Sequence, residues 1–194
     1  DIPAEIYHLK SSRKPNWKKI DDIIKRVEEV RGQGLKITAD IYTYNASSTG
    51  LTGVIPTWVQ EGGHKAWIER MKDPNIRPRL LEDIRKELSE QPPEGILMVG
   101  FKTSEMSKKY LSKTVAEAAK MRGQSPDEAI VDMVIEDDNR IQCIYFSMSE
   151  ENIRKKIKLP WVSFCSDAGV YSDITKNFRT HPRAFGSFVR VLGK

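Results

Sequence analysis

"WKKIDDIIKRVEEVRGQGLKITADIYTY", residues 17–44, decides how this chain is read. Ile20, Ile23, Ile24, Val27 and Val30 fall at the spacing of one helical face. Gly32 and Gly34 follow where such a helix has to stop, because glycine accepts the left-handed turn that ends it. Lys36–Tyr42 then reads as a strand, and a short apolar run, Ile6–Leu9, precedes the helix. Strand, helix and strand joined this tightly form a βαβ unit, whose two strands run parallel.

The same alternation returns near the end of the chain. Ile141–Phe146 is strand-like, Ser149–Ile157 is helical, and Leu159–Cys165 is a short apolar run that stops at Asp167. Strands near residues 5–9, 36–42, 141–146 and 161–166 predict half of an eight-stranded parallel α/β barrel, or a small open sheet. The stretch between them differs in texture. Proline recurs at 56, 74, 78, 92, 93 and 126, Pro78–Leu88 has helical spacing, and Ile96–Val99 is strand-like. Thr114-x-x-Glu117 suits a capping box, and Ser125-Pro126 opens another helix. The expected division is barrel units over 1–52, a largely helical lid over 53–110, and barrel units again over 111–194.

With 194 residues, 39% of them hydrophobic, the chain holds one substantial core or a core plus an appendage. Its net charge of +5 is spread along the sequence, and aromatic residues do not interleave with the basic ones, which argues against a nucleic-acid partner. No apolar run reaches the ~20 residues of a membrane span. Cys143 and Cys165 sit in apolar runs and read as buried thiols. The first residue is Asp and no secretory leader is visible, so the expectation is a natural N-terminus further upstream and a cytoplasmic protein.

Polar residues collect at the strand ends: His8 after the first, Tyr42 and Tyr44 after the second, Asp167 after the last. Parallel strands bring these ends to one face. Histidine and aspartate there suit a divalent metal with an open coordination position, which lowers the pKa of a bound water to about 7. A carboxylate beside such a water can take its proton and deliver it to a leaving group. Taken singly, His8 also reads as a packing histidine and Asp167 as a turn residue.

Five stretches in order, "AEIYHLKSSRKPNWKK", "ITADIYTYNASSTGL", "IPTWVQEGG", "SFCSDAG" and "HPRAFGSFVRVLGK", resemble the successive motifs of the D-aminoacylase (N-acyl-D-amino-acid deacylase) family of the amidohydrolase superfamily. The resemblance spans nearly the whole chain. It implies a zinc-dependent (β/α)8 barrel with a lid, binding one or two metal ions and hydrolysing the amide of small N-acyl-D-amino acids. By resemblance, His8 matches the metal histidine of the fifth strand, and Asp167 the eighth-strand aspartate that touches metal and moves protons. Tyr42 stands where members carry a further histidine ligand. Lys10, Tyr44, Ser48, His181 and Arg183 match substrate-binding positions, with Arg183 suited to clamp a carboxylate bidentately. Trp58 and the Glu61–His64 turn are expected near the substrate entrance.

The family's first-strand His-x-His pair and its bridging ligand have no counterpart here, and neither cysteine occupies the bridging position. The expectation is therefore the C-terminal half of a catalytic domain, inactive alone and self-associating to cover its open edges. The alternatives are another amidohydrolase of hydantoinase or dihydroorotase type, or a truncated chain that binds without catalysing.

Overall fold

The computed structural model describes residues 2–169 and 178–193. The chain runs β1 (Ala4–Ile6), α1 (Lys19–Gly32), β2 (Ile37–Ile41), β3 (Ser47–Gly50), α2 (Thr57–Gln60), α3 (His64–Lys72) and α4 (Arg77–Glu90). It continues with β4 (Ile96–Gly100), α5 (Ser104–Tyr110), α6 (Val115–Arg122), α7 (Pro126–Asp137), β5 (Gln142–Tyr145), α8 (Glu150–Ile157), β6 (Val162–Phe164) and α9 (Arg183–Leu192). Two compact units result. The first comprises residues up to 47, 147–169 and 181–193, and the second 48–146 with 178–180.

In the first unit β2 lies between β1 and β6, and both pairings are parallel. Ile6 faces Ala39, and Ile41 faces Phe164, so the three strands end close to one level. The expected face of α1 does the packing: Ile20 and Val27 are buried with Leu9, Ala39, Ile41 and Trp161, and Ile23 and Ile24 flank them. The helix ends at Gly32, and Gly34 takes a φ of +91°, a conformation that an L side chain resists. Ser149 caps α8 by accepting a hydrogen bond from the Asn152 N–H.

The second unit has its own core. Leu51, Trp67, Met71, Leu80, Ile84, Met98, Tyr110, Ile130 and Met133 are among its buried members, and none is shared with the first core. Its sheet has the order β3-β5-β4, with β4 and β5 antiparallel. A register shift between Met98 and Gly100 marks a bulge there. Both anticipated helix starts are present. Thr114 Oγ1 accepts from the Glu117 N–H while Glu117 accepts from the Thr114 N–H, and Glu128 accepts from the backbone and hydroxyl of Ser125.

The segment 141–146 is a correction to the expected architecture. It forms β5, pairs antiparallel with β4, and joins the second unit instead of extending the parallel sheet. The parallel sheet therefore has three strands, and the described residues contain no closed barrel. A short apolar run specifies that a strand forms and leaves its partner open, since buried parallel and antiparallel strands share one pattern. Here the nearby strand-like run 96–100 captured it.

Asp137, fully buried at the end of α7, accepts from the Lys102 N–H, the Thr103 N–H and the Thr103 hydroxyl, at 2.8, 2.9 and 3.0 Å. It thereby anchors the start of α5 to the end of α7. Asp137→Ala takes the acceptor from two part-buried N–H groups and a hydroxyl and is expected to cost about 1–3 kcal/mol. Urea unfolding monitored in this unit's tryptophans checks the value, and a loss within experimental error would show the anchor to be dispensable.

Candidate active site at the ends of the parallel strands

Each parallel strand delivers a polar group just beyond its last residue. Past β1 the chain places Tyr7, His8 and Lys10; past β2, Tyr42 and Tyr44; past β6, Cys165 and Asp167. Arg183 arrives at the first turn of α9. His8 and Asp167 have φ values of +42° and +45°. That left-handed conformation costs an ordinary residue about 1–2 kcal/mol, and histidine and aspartate are among those that tolerate it. It ends both strands sharply.

Asp167 is engaged on both oxygens. The Tyr7 hydroxyl donates to Oδ1 at 3.0 Å, and Arg183 Nη1 lies 2.7 Å from Oδ2. The latter is a close ion pair without a well-aimed hydrogen bond. Arg183 is almost wholly buried, and its guanidinium lies 4.5 Å from the centre of the Tyr42 ring. Lys10 Nζ lies 5.3 Å from the centre of that ring and donates to His8 Nδ1 at 2.7 Å. Burial, with the Arg183 charge adding to it, lowers the Lys10 pKa to about 8, while Asp167 opposes the shift. Lys156, buried on α8, donates to the Leu9 carbonyl, and burial, with the Lys10 charge adding to it, also lowers its pKa to about 8.

Tyr42 is the floor of this cluster. Its ring is buried, its hydroxyl points at Met148 Sδ, and burial raises its pKa above the ordinary phenol value. It is therefore a neutral phenol that carries two cations on its face. Tyr44 packs edge-on to His181 at 5.7 Å and under the Arg190 guanidinium at 4.6 Å. A Cβ at Gly186 would run into the Tyr44 hydroxyl, so that glycine is required for the approach.

His181 turns both ring nitrogens to the backbone. Nδ1 accepts from the Arg183 N–H at 3.0 Å, and Nε2 donates to the Ala46 carbonyl at 3.0 Å. These partners assign the neutral tautomer with the proton on Nε2. The ring thus holds the start of α9, and with it Arg183.

The structure therefore brings together His8, Lys10, Tyr42, Asp167 and Arg183, with Tyr44 and His181 behind them. Ser48 belongs to the second unit, where its hydroxyl donates to the Cys143 carbonyl and accepts from Gln142. Trp58 and the Glu61–His64 turn are also in the second unit. Trp58 donates to Asp83 and stacks with Arg79, and Gly62 and Gly63 adopt φ values of +84° and +83°.

Asp40 escaped the sequence reading. Its carboxylate on β2 accepts from the His8 N–H and from the Cys165 thiol, and its carbonyl accepts from the Leu9 N–H. The central strand thus grips the ends of both neighbours, next to His8 on one side and Asp167 on the other. A charged residue inside the apolar run 37–41 was the available signal.

Among the described residues, no three His, Cys, Asp or Glu side chains converge to hold a metal. A catalytic zinc takes three protein ligands. His8 and Asp167 do not by themselves fit such a site, and His8 Nδ1 already accepts from Lys10.

No protein-family model and no curated protein matches this sequence. Solved structures do. The N-acyl-D-glutamate deacylase of Bordetella bronchiseptica, complexed with zinc and a phosphonate mimic of the tetrahedral intermediate, is similar with a TM-score of 0.66 and 22% identity, over 98% of this chain and 30% of its own. A D-aminoacylase described by its binuclear metal centre gives 0.64 and 22%, over 100% and 31%. Another, described as defining a novel subset of amidohydrolases, gives 0.63 and 22% over the same shares. The chain has the fold of part of a D-aminoacylase. It spans about 30% of the length of the solved structures it matches.

Two measurements probe the site's scaffold. Burial, then the Arg183 charge, depresses the His181 pKa to about 4, against 6.5 for a free histidine. Between those values the unfolded chain binds more protons, so native stability contributed by His181 is present above pH 6.5 and is lost as pH falls toward 4. The expected loss is roughly 2–3 kcal/mol, measured as the difference between wild type and His181→Gln in urea unfolding at each pH. Equal slopes would remove His181 as the cause. Asp40→Ala should speed amide exchange at His8 at least about tenfold, whereas Asp40→Asn, which keeps an acceptor, should stay near wild type.

Proposed function

We propose that this chain carries part of the active site of an amide hydrolase acting on N-acyl-D-amino acids, with Asp167 as the proton carrier. The observation that supports this most is the pairing of Asp167 with Arg183 at the end of a parallel strand, on a fold shared with D-aminoacylase structures. Strand ends of this kind are where α/β enzymes place their chemistry.

In this reading the substrate's carboxylate pairs with Arg183 and Lys10, two cations already gathered on the Tyr42 ring. Asp167 takes a proton from the water that attacks the acyl carbon. When the C–N bond breaks, the same proton goes to the departing amine, leaving a free acid and an amino acid. Tyr7, through its hydroxyl on Oδ1, orients the carboxylate. Zinc dependence of the reaction calls for ligands beyond His8 and Asp167, so the activity belongs to a polypeptide that supplies them. The 194-residue chain alone is expected to turn over nothing.

A second reading has one observation in its favour. Both Asp167 oxygens are occupied, as a carboxylate used only to position Arg183 would be. The site would then bind an anion without hydrolysing it.

In the intact gene product, Asp167→Asn keeps the shape of the side chain and loses the ability to accept a proton. Turnover of N-acyl-D-amino acids should fall ~10²- to 10⁴-fold. His8→Ala should instead be rescued in part by added zinc. A substrate panel of N-acyl-D-amino acids, their L enantiomers and cyclic ureides, with and without chelator, separates deacylase from hydantoinase chemistry. An Asp167→Asn variant retaining more than about a tenth of kcat would favour the anion-binding reading.

A further inference from the structure

The main chain that follows β1 is held by α8 at two points. Asn152 and Lys156 stand four residues apart on this helix, neighbours on its buried face. Asn152 Nδ2 donates to the Trp17 carbonyl at 2.9 Å, and Lys156 Nζ donates to the Leu9 carbonyl at 2.6 Å. The two contacts close on the two ends of the segment 9–17. Leu9 is gripped from its other side as well, where its N–H donates to the Asp40 carbonyl at 2.8 Å.

Lysine is a costly residue for this place. Lys156 is 3% exposed, no carboxylate among the described residues pairs with it, and the charge that acts on it is the like charge of Lys10. A buried cation without a counter-ion destabilises a fold, and an apolar side chain of similar length would fill the same space without that penalty. What the apolar side chain cannot do is carry a donor from the helix to Leu9. A four-carbon stem ending in an ammonium does so.

We propose that Lys156 is a positioning residue for substrate binding, holding the peptide between Leu9 and Lys10 so that the Lys10 side chain keeps its place beside His8 and the Tyr42 ring. The Leu9 carbonyl and the Lys10 N–H belong to one peptide plane, so fixing the oxygen fixes the direction in which Lys10 leaves the chain. His8, on the other side of Leu9, is fixed by the Asp40 carboxylate on its N–H. With both anchors in place, Lys10 Nζ meets His8 Nδ1 at 2.7 Å and lies 5.3 Å from the centre of the Tyr42 ring. What Lys10 binds rests on the deacylase reading above; what Lys156 holds rests on the geometry alone.

Two measurements on the intact gene product separate these levels. Lys156→Met should speed amide exchange at Leu9 at least about tenfold, while the Ala39 amide, bonded to the Trp161 carbonyl within the sheet, keeps its wild-type rate. Lys156→Arg, which keeps a donor on a long stem, should restore most of the protection. In steady-state hydrolysis of N-acyl-D-amino acids, Lys156→Met should raise KM at least about tenfold, the size of one charge-assisted contact, with kcat within about threefold of wild type. A residue that only stabilised the fold would reduce the amount of active enzyme and so lower kcat at constant KM. The inference is overturned if Leu9 exchange is unchanged, if Leu9 and Ala39 accelerate together, or if KM keeps its wild-type value in an active enzyme. An intact wild-type protein without deacylase activity would sink the deacylase reading instead, and the exchange rates would still decide whether Lys156 holds the turn.

Discussion

The parallel pairing of β2 with β1 on one side and β6 on the other is the constraint on which the candidate site depends. Parallel neighbours end at the same face, so the groups that follow Ile6, Ile41 and Phe164 must come together. The β1–β2 pairing is local, bridged by α1. The β2–β6 pairing closes over everything between Ile41 and Val162. Such a closure is entropically tolerable because its cost grows only slowly with the length enclosed, by about 0.6 kcal/mol per doubling. The enclosed chain is also ordered in its own right, around a core that shares no residue with that of the first unit.

Charge at the strand ends follows from the same geometry. Lys10 and Arg183 both lie against the buried ring of Tyr42, and Asp167 is the carboxylate that compensates Arg183. Partial burial makes a lone cation costly, and it is relieved here by a carboxylate, a ring face or an imidazole. Lys10 feels this most, its pKa falling to about 8. Asp40 and His181 act one step back. The first fixes the backbone at His8 and the thiol at Cys165, and the second fixes the backbone at Arg183. Both are ordinary hydrogen-bonding residues whose consequence comes from where they stand.

The sequence by itself determined the local elements. The 3.6-residue spacing of Ile20 to Val30, the glycines at 32 and 34, and the capping residues Thr114 and Ser125 each encode a structure within a few residues, and each is found where expected. His8 and Asp167 were legible as candidates because a polar residue at the end of an apolar strand is itself a local signal. Only the tertiary structure decided partners. Ile141–Phe146 went to β4 because backbone hydrogen bonding accepts either direction, and proximity chose it. Asp40 and His181 acquired their roles from contacts with residues far away in sequence, His181 with Ala46 and Asp40 with Cys165. A pattern of apolar and polar residues records which side of an element is buried, and only the packed chain records what lies against it.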